Sequence, residues 1–259
     1  MSEALAINEI YLSLQGESTF AGLPCIFVRL TSCNLRCSYC DTAYAFAEGE
    51  RKSLWEVQAE VKRLAEPFDA ARRAKAQEGR GDDTAEAGGY RLPLVELTGG
   101  EPLLQKGCLP LMKALCDEGF TVLLETSGAH DISTVDPRVR RIMDLKCPSS
   151  GEVARNRWEN LKHLKQTDEI KFVVGTREDY EWARHMIAGY NLGAICPVLF
   201  SWVHPLAPAQ QDESLKKIPH GQTPISRQEL AEKIIADALP VRFQLQMHKV
   251  IWPAQQRGV

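Results

Sequence analysis

The 259-residue chain has no apolar run approaching the roughly 18 residues that a membrane span needs, so no membrane helix is expected. Its first residues, MSEALAINEIYLSLQGE, contain no basic region followed by an apolar core, so the expectation is a cytoplasmic protein without a secretory signal. It has no excess of positive charge. Lys and Arg number 31 against 34 Asp and Glu, a net charge of −3, which speaks against a general electrostatic grip on nucleic acid. No repeat of fixed period is present, and no second composition regime, so one domain over residues 1–259 is expected. Hydrophobic residues at 44% and charged residues at 25% are ordinary for a globular protein and exclude disorder, collagen or a coiled-coil rod for the whole chain. A chain of this size buries a core without disulfide staples.

Against these absences, short apolar runs recur along the chain. They lie at residues 25–30 (CIFVRL), 94–97, 121–124, 142–145, 171–174, 195–199 and 241–245. Most read as continuous rather than alternating, as parallel strands covered on both faces do. Helical patterns lie between them. Ser53 opens a capping box, S-L-W-E, followed by Leu54, Val57, Val61 and Leu64 at helical spacing. Residues 109–118, 179–188 and 227–238 are further candidate helices. Strand–helix repetition predicts an α/β fold with a parallel sheet, open or curled toward a barrel. Residues 67–91 are poor in large apolar side chains and read as a surface insertion, helical in part at 70–77. Residues 207–224 read as a long loop.

Eight cysteines remain to be explained, and three lie within eight residues. Residues 33–40 are C-N-L-R-C-S-Y-C, a C-x3-C-x2-C spacing. Neither a strand nor a regular helix directs three side chains so spaced at one centre, so Cys33, Cys37 and Cys40 must converge on a loop. A closed structural zinc site needs a fourth ligand, and Cys25, the nearest other cysteine, lies inside an apolar run. Three thiolates suit an iron–sulfur cluster that leaves one iron open. The other five cysteines read as small buried hydrophobes.

The loop, together with Thr98-Gly99-Gly100-Glu101-Pro102 at the end of a later strand-like run, resembles the signature of the radical S-adenosylmethionine (SAM) superfamily. Flanking residues narrow the resemblance. Leu12-Ser13-Leu14-Gln15-Gly16-Glu17, Arg29, Asp41-Thr42, Glu125-Thr126-Ser127-Gly128 and Gln246-Met247-His248-Lys249 together resemble the 7-carboxy-7-deazaguanine synthase (QueE) family. The fold this implies is a partial, incomplete TIM-like barrel; seven strand-like runs are also too few for a closed eight-stranded one. The activity it implies is the conversion of 6-carboxy-5,6,7,8-tetrahydropterin to 7-carboxy-7-deazaguanine with loss of ammonia, a lyase step toward queuosine. The implied cofactors are a [4Fe–4S] cluster, SAM and Mg²⁺. The implied partners are the small pterin substrate, a flavodoxin- or ferredoxin-like electron donor and a second copy in a homodimer, with no nucleic acid and no membrane.

Carried onto this sequence, the resemblance assigns Cys33, Cys37 and Cys40 to the cluster and Thr42 to Mg²⁺. It assigns Tyr39, Gly100, Glu101, Ser127, Asp144 and Lys146 to SAM, with Glu101 offering a carboxylate to the amino group of the methionine moiety. Substrate contacts fall to Leu14, Gln15, Gly16, Glu17, Arg29, Thr98 and His248. Plainer roles stand beside these: Thr42 as a helix cap, Arg29 in a structural ion pair, His248 as a packed core residue. A radical SAM activase acting on a partner protein shares the cysteine spacing, and a non-enzymatic zinc or iron–sulfur module is a third reading, though it leaves the GGEP segment unexplained. Three positions depart from the family's pattern: Ser18 stands where Q-G-E-G is common, Cys147-Pro148 follows Lys146, and six residues follow Pro253.

Overall fold

The computed structural model describes residues 4–78 and 89–259. Nine strands form one sheet: β1 (Ala4–Leu14), β2 (Pro24–Leu30), β3 (Glu50–Ser53), β4 (Leu94–Gly99), β5 (Val122–Thr126), β6 (Arg140–Asp144), β7 (Glu169–Val174), β8 (Val198–Trp202) and β9 (Arg242–Gln244). Their order is β3-β1-β2-β4-β5-β6-β7-β8-β9. From β2 onward every pairing is parallel, whereas β1 pairs antiparallel with both β2 and β3. Among the described residues β9 does not return to β3, so the sheet is an open, partial barrel. No helix among them is long and apolar enough to cross a membrane.

All seven apolar runs are strands. The eighth strand starts at Val198 rather than at 195, past Pro197, which has no N–H to give a ladder and only accepts from Ile170. Two strands lie outside the apolar runs. β1 carries charge within it and is half-buried over most of its length, and β3 is the polar edge. Both join as antiparallel neighbours, where one covered face is enough.

The apolar runs are not uniform in their surroundings. Along β2, Ile26, Val28 and Leu30 face the large core under the helices, while Cys25 and Phe27 belong to a small inner core and Arg29 to the pocket above it. β4 repeats this: Val95 and Leu97 outward, Leu94 in the inner core, Glu96 and Thr98 in the pocket. On β5, Val122 and Leu124 point outward, Leu123 inward and Glu125 into the pocket. The period of two sorts each strand between helices and lumen. The lumen is apolar at the strands' N-terminal ends, where Phe20 joins the plug, and charged at their C-terminal ends. Each fully buried Leu, Ile, Val or Phe contributes about 1.5–3 kcal/mol to this arrangement.

Helices α1 (Leu54–Gln77), α2 (Cys108–Asp117), α3 (Arg177–Tyr190) and α4 (Arg227–Ala236) follow β3, β4, β7 and β8, and the short α5 (His248–Ile251) follows β9. Ser53 and Glu56 make the expected capping box, and Thr176 and Asp179 make another on α3. The helix expected at 70–77 is the end of α1, which runs on through Pro67. Proline forfeits one helical hydrogen bond there. Just beyond it Asp69 pairs with Arg72 and, at 2.9 Å, with Arg91, which ties the helix to the chain entering β4. Residues 79–88 of the expected insertion lie outside the described residues.

Candidate active site

The three thiols of the C-x3-C-x2-C segment sit on a loop that leaves β2 and ends in a 3-10 turn, Ala43–Phe46. Arg36 braces this loop. Its guanidinium donates to the carbonyls of Cys33 (2.8 Å) and Leu35 (2.7 Å) and lies 4.1 Å over the Phe46 ring. Its backbone N–H donates to Glu152 at 2.8 Å. The Ser38 hydroxyl donates to the Ser149 carbonyl (2.7 Å), and the N–H of Lys216 donates to that of Arg36 (2.8 Å). The long loop at 207–224 is thus clamped to the cysteine loop, and Lys216 also pairs with Glu152 at 2.9 Å.

From the other side comes the end of β4. A β carbon on Gly99 would lie 2.2 Å from the Leu30 carbonyl oxygen, and one on Gly100 would lie 2.0 Å from that of Ser32. Glycine is required at both because the strand end presses directly on the backbone leading to Cys33.

The donor set fits a cluster. Cys33, Cys37 and Cys40 all line one pocket. Burial pushes all three thiols above their ordinary range, Cys37 to about 12, so a thiolate there requires a compensating positive centre. No three His, Cys, Asp or Glu side chains among the described residues are gathered tightly enough for a single ion. A cluster has no such need, because each thiolate binds its own iron. Beside the thiols, the Tyr39 hydroxyl and Asp144 Oδ1 are buried without a partner. Both line the same pocket, and buried polar atoms left open in this way are places for a polar ligand. Lys146 donates to the other Asp144 oxygen at 2.6 Å.

Glu101 lies behind the pocket wall. It is fully buried, absent from the pocket wall, and accepts hydrogen bonds from the N–H of Leu103, the hydroxyl of Thr126, and both the N–H and hydroxyl of Ser127. Four internal donors, at 2.6–3.0 Å, saturate the carboxylate. It therefore fastens the end of β5 to the turn after β4. Of the seventeen residues singled out in the sequence, the other sixteen all line the pocket.

Opposite the thiols the lumen is charged. Lys171, 3% exposed, donates to Glu17 at 3.0 Å and to Glu125. Thr98 donates to Glu125 at 3.1 Å and Ser201 to Glu17 at 2.9 Å. Burial alone would push Glu125 up, but the Lys171 ammonium holds it below the usual range. Gln15 accepts the Glu17 N–H at 3.1 Å and donates its amide to Glu96. Tyr11 and Phe27 stack at 5.1 Å on the same wall. Arg29 pairs with Glu9 at 2.7 Å and donates to the Tyr11 hydroxyl at 3.0 Å, so its structural ion pair is present even as it lines the pocket. Glu96, Lys171 and Ser201 escaped the sequence reading, and Glu125 entered it only as part of a motif, without a role. The signal was there: a polar residue at a fixed parity within runs such as LVELTG and EIKFVV.

The C-terminal residues close the pocket's rim. Lys249 pairs with Asp41, and Gln246 donates to it at 3.2 Å. Burial would raise Asp41, but Lys249 outweighs it and brings the carboxyl to about 2. His248 packs on Gly16, and burial lowers its pKa, favouring the neutral ring. Residues 254–259 line the pocket as well. Arg257 lies 3.7 Å over the Tyr44 ring and pairs with Glu48 at 2.7 Å. Ser18 holds a left-handed backbone (φ 65°), the conformation for which glycine is favoured. Gln244 clasps it there, accepting its N–H at 3.0 Å and donating to its carbonyl at 2.6 Å. Cys147 is buried in the outer core.

No family model matches the chain. Curated relatives do. A 7-carboxy-7-deazaguanine synthase from Koribacter versatilis is 42% identical over 257 residues, covering 98% of this chain and 100% of the relative. One from Chlorobaculum tepidum is 41% identical over 258 residues, covering 98% and 97%. Among solved structures, QueE from Escherichia coli superposes with a TM-score of 0.63 at 22% identity, over 95% of each chain. Streptococcus suis SuiB bound to its precursor peptide SuiA gives 0.55 at 13% identity, over 85% of this chain and 47% of that one. These two likenesses speak to the fold.

Proposed function

Since the chain belongs to the 7-carboxy-7-deazaguanine synthase family, a family of radical SAM lyases, we propose how its own residues divide the family's work. The reaction converts 6-carboxy-5,6,7,8-tetrahydropterin to 7-carboxy-7-deazaguanine with loss of ammonia, in queuosine biosynthesis. When bound, the [4Fe–4S] cluster and SAM supply the hydrogen-abstracting radical chemistry. Cys33, Cys37 and Cys40 hold the cluster.

Tyr39, Asp144 and Lys146 receive polar groups of SAM; the open Tyr39 hydroxyl and Asp144 Oδ1 support this. Gly100 lets the β4 end approach the ligand, while Ser127 acts through its place on Glu101. The pterin lies between the Leu14–Glu17 turn and the strand ends. Gln15 and Glu17 meet its donor–acceptor edge, and Thr98, Arg29 and His248 flank it. The ionised Glu125, with Lys171 beside it, can hold or pass a proton as the amino group leaves. Tight walls matter because a reactive radical attacks any C–H bond within reach.

Thr42 offers its hydroxyl to Mg²⁺, completed by the substrate carboxylate and water. Thr42 begins the 3-10 turn, yet its side chain makes no capping hydrogen bond, and its hydroxyl shares a long hydrogen bond with Cys40 Sγ at 3.7 Å. A pocket-lining hydroxyl that is not used as a cap supports a ligand role over a capping one. A low-potential flavodoxin- or ferredoxin-like protein supplies the electron.

The observation that carries this reading is the convergence of the three-thiol loop, the GGEP strand end and the Leu14–Glu17 turn on one pocket. Anaerobic reconstitution with iron and sulfide, then assay with SAM, reductant, Mg²⁺ and the carboxy-tetrahydropterin, tests it. Formation of 7-carboxy-7-deazaguanine is expected; SAM cleavage without conversion of the pterin would overturn the substrate assignment.

A further inference from the structure

The lumen carries one carboxyl group for which the roles above have no use. Glu96 projects from β4 between Leu94, which packs in the inner core, and Thr98 at the strand end. It lines the pocket yet is only 2% exposed. One of its oxygens accepts the Gln15 amide, and no group among the described residues is found donating to the other.

Its protonation follows from its neighbours. Lys171, the cation facing it, is taken by Glu17 and Glu125. Three carboxyl groups therefore share one ammonium, and the one without a cation is costly to bury as an anion. Burial first, and then the charge of Glu125, push Glu96 well above the usual carboxylate range. The other titratable groups facing it, Tyr11 on β1 and Cys25 on β2, are themselves pushed up by burial and are neutral at pH 7. Two carboxyls in one pocket whose environments drive them apart, Glu96 neutral and Glu125 ionised, have different tasks.

Orientation follows from Gln15. Its carbonyl oxygen is engaged by the Glu17 N–H, so its NH₂ must face Glu96. A neutral Glu96 then shows a carbonyl oxygen to Gln15 and has an O–H left to give. We propose that Glu96 is a specificity-determining residue of the substrate pocket: it fixes the Gln15 amide with one oxygen and donates from the other to an acceptor atom on the bicyclic substrate. A neutral group here also spares the acidic substrate a like-charge repulsion that a third carboxylate would impose. The inference rests on the reading of this pocket as the pterin site and deepens it.

The test compares reconstituted wild-type holoenzyme with Glu96→Gln and Glu96→Ala. It uses steady-state kinetics across pH and calorimetric titration with the carboxy-tetrahydropterin in the absence of SAM. Glu96→Gln keeps a neutral donor and acceptor and is expected to hold KM and Kd within about twofold, whereas Glu96→Ala should raise both on the order of tenfold with a smaller change in kcat. In the wild type KM should climb at alkaline pH as Glu96 ionises, and that climb should vanish in Glu96→Gln. The proposal is overturned if a folded Glu96→Ala binds as tightly as wild type, or if Glu96→Gln binds as poorly as Glu96→Ala. Should Glu96→Ala not fold, the alkaline climb decides: its persistence in Glu96→Gln overturns the proposal. If wild-type enzyme neither binds nor converts the pterin, the substrate reading itself fails and takes this inference with it. Wild-type conversion with an indifferent Glu96→Ala removes the inference alone.

Discussion

Gly16 and His248 are in contact across the pocket rim: a β carbon on Gly16 would lie 2.5 Å from Nδ1 of His248 and 3.3 Å from its backbone nitrogen. The Met247 N–H donates to the Gly16 carbonyl at 3.0 Å, so the turn after β1 and the start of α5 are locked together. Gly16→Ala must displace the imidazole. The expected result is a loss of about 1–3 kcal/mol in substrate binding with normal cluster formation, read as KM against the cluster's visible absorption.

Cluster assignment separates the eight thiols into two groups. Cys37→Ala should abolish the cluster absorption and SAM cleavage. Cys108→Ala, a change in the outer core, should reconstitute normally and cost about 1–3 kcal/mol of stability, measured by thermal denaturation. A full cluster in Cys37→Ala would refute the assignment.

For Thr42 the expectation is a loss specific to magnesium. Thr42→Ala should keep the cluster and SAM binding but weaken turnover and its response to added Mg²⁺, and Thr42→Ser should retain more activity because the oxygen survives. Mg²⁺ and substrate should tighten each other's binding by the same factor, measurable by titrating each in the presence of the other. Turnover indifferent to Mg²⁺ in chelated buffer would remove the metal role.

Lys171→Met leaves Glu17 and Glu125 without their shared ammonium. The expected destabilisation is about 3–5 kcal/mol at neutral pH. In the wild type the lowered pKa of Glu125 stabilises the fold above the pKa of the unfolded carboxyl, and this is lost as pH falls through the folded value. Without the ammonium the buried Glu125 keeps its proton when folded, so the penalty should be small near about pH 4 and grow as pH rises. Melting temperatures of wild type and variant across that range should therefore converge on the acid side; parallel curves would contradict the argument.

Ser18 holds a positive φ at a position where glycine carries no strain. Ser18→Gly should relieve up to about 1 kcal/mol of backbone strain. It gives up the hydroxyl that accepts the Phe20 N–H at 3.1 Å. The expected net effect on thermal stability is small and not negative, whereas Gln244→Ala, which removes both clasping bonds, should cost about 1–3 kcal/mol.

The parts of the molecule that could be read from the chain are those whose chemistry is local. Three cysteines within eight residues, a glycine pair before Glu101 and a capping box at Ser53 each announce themselves without tertiary knowledge. β1 did not, because its one covered face produces no apolar run. Glu96 and Lys171 were hidden for the opposite reason: flanking Val, Leu and Phe made their strands look uniformly apolar. The setting of Glu101 was not legible either, because the sequence shows a carboxylate beside two glycines but not the four donors that fold back onto it. Residues 254–259 are held through tertiary contacts, Arg257 with Tyr44 and Glu48 and Gln210 with the Ala254 carbonyl, that no spacing rule encodes.

The two-residue alternation along the strands also divides the protein's tolerance to change. On β4, Val95 and Leu97 answer to the helices and Glu96 and Thr98 to the pocket, so neighbours in the sequence are under unrelated demands. A drift that swaps Val95 for another aliphatic residue is invisible to the chemistry, and one that alters Glu96 is nearly invisible to the outer packing. New substrates could thus be explored by changing every second residue near the strand ends, while the layer beneath the helices keeps the barrel standing.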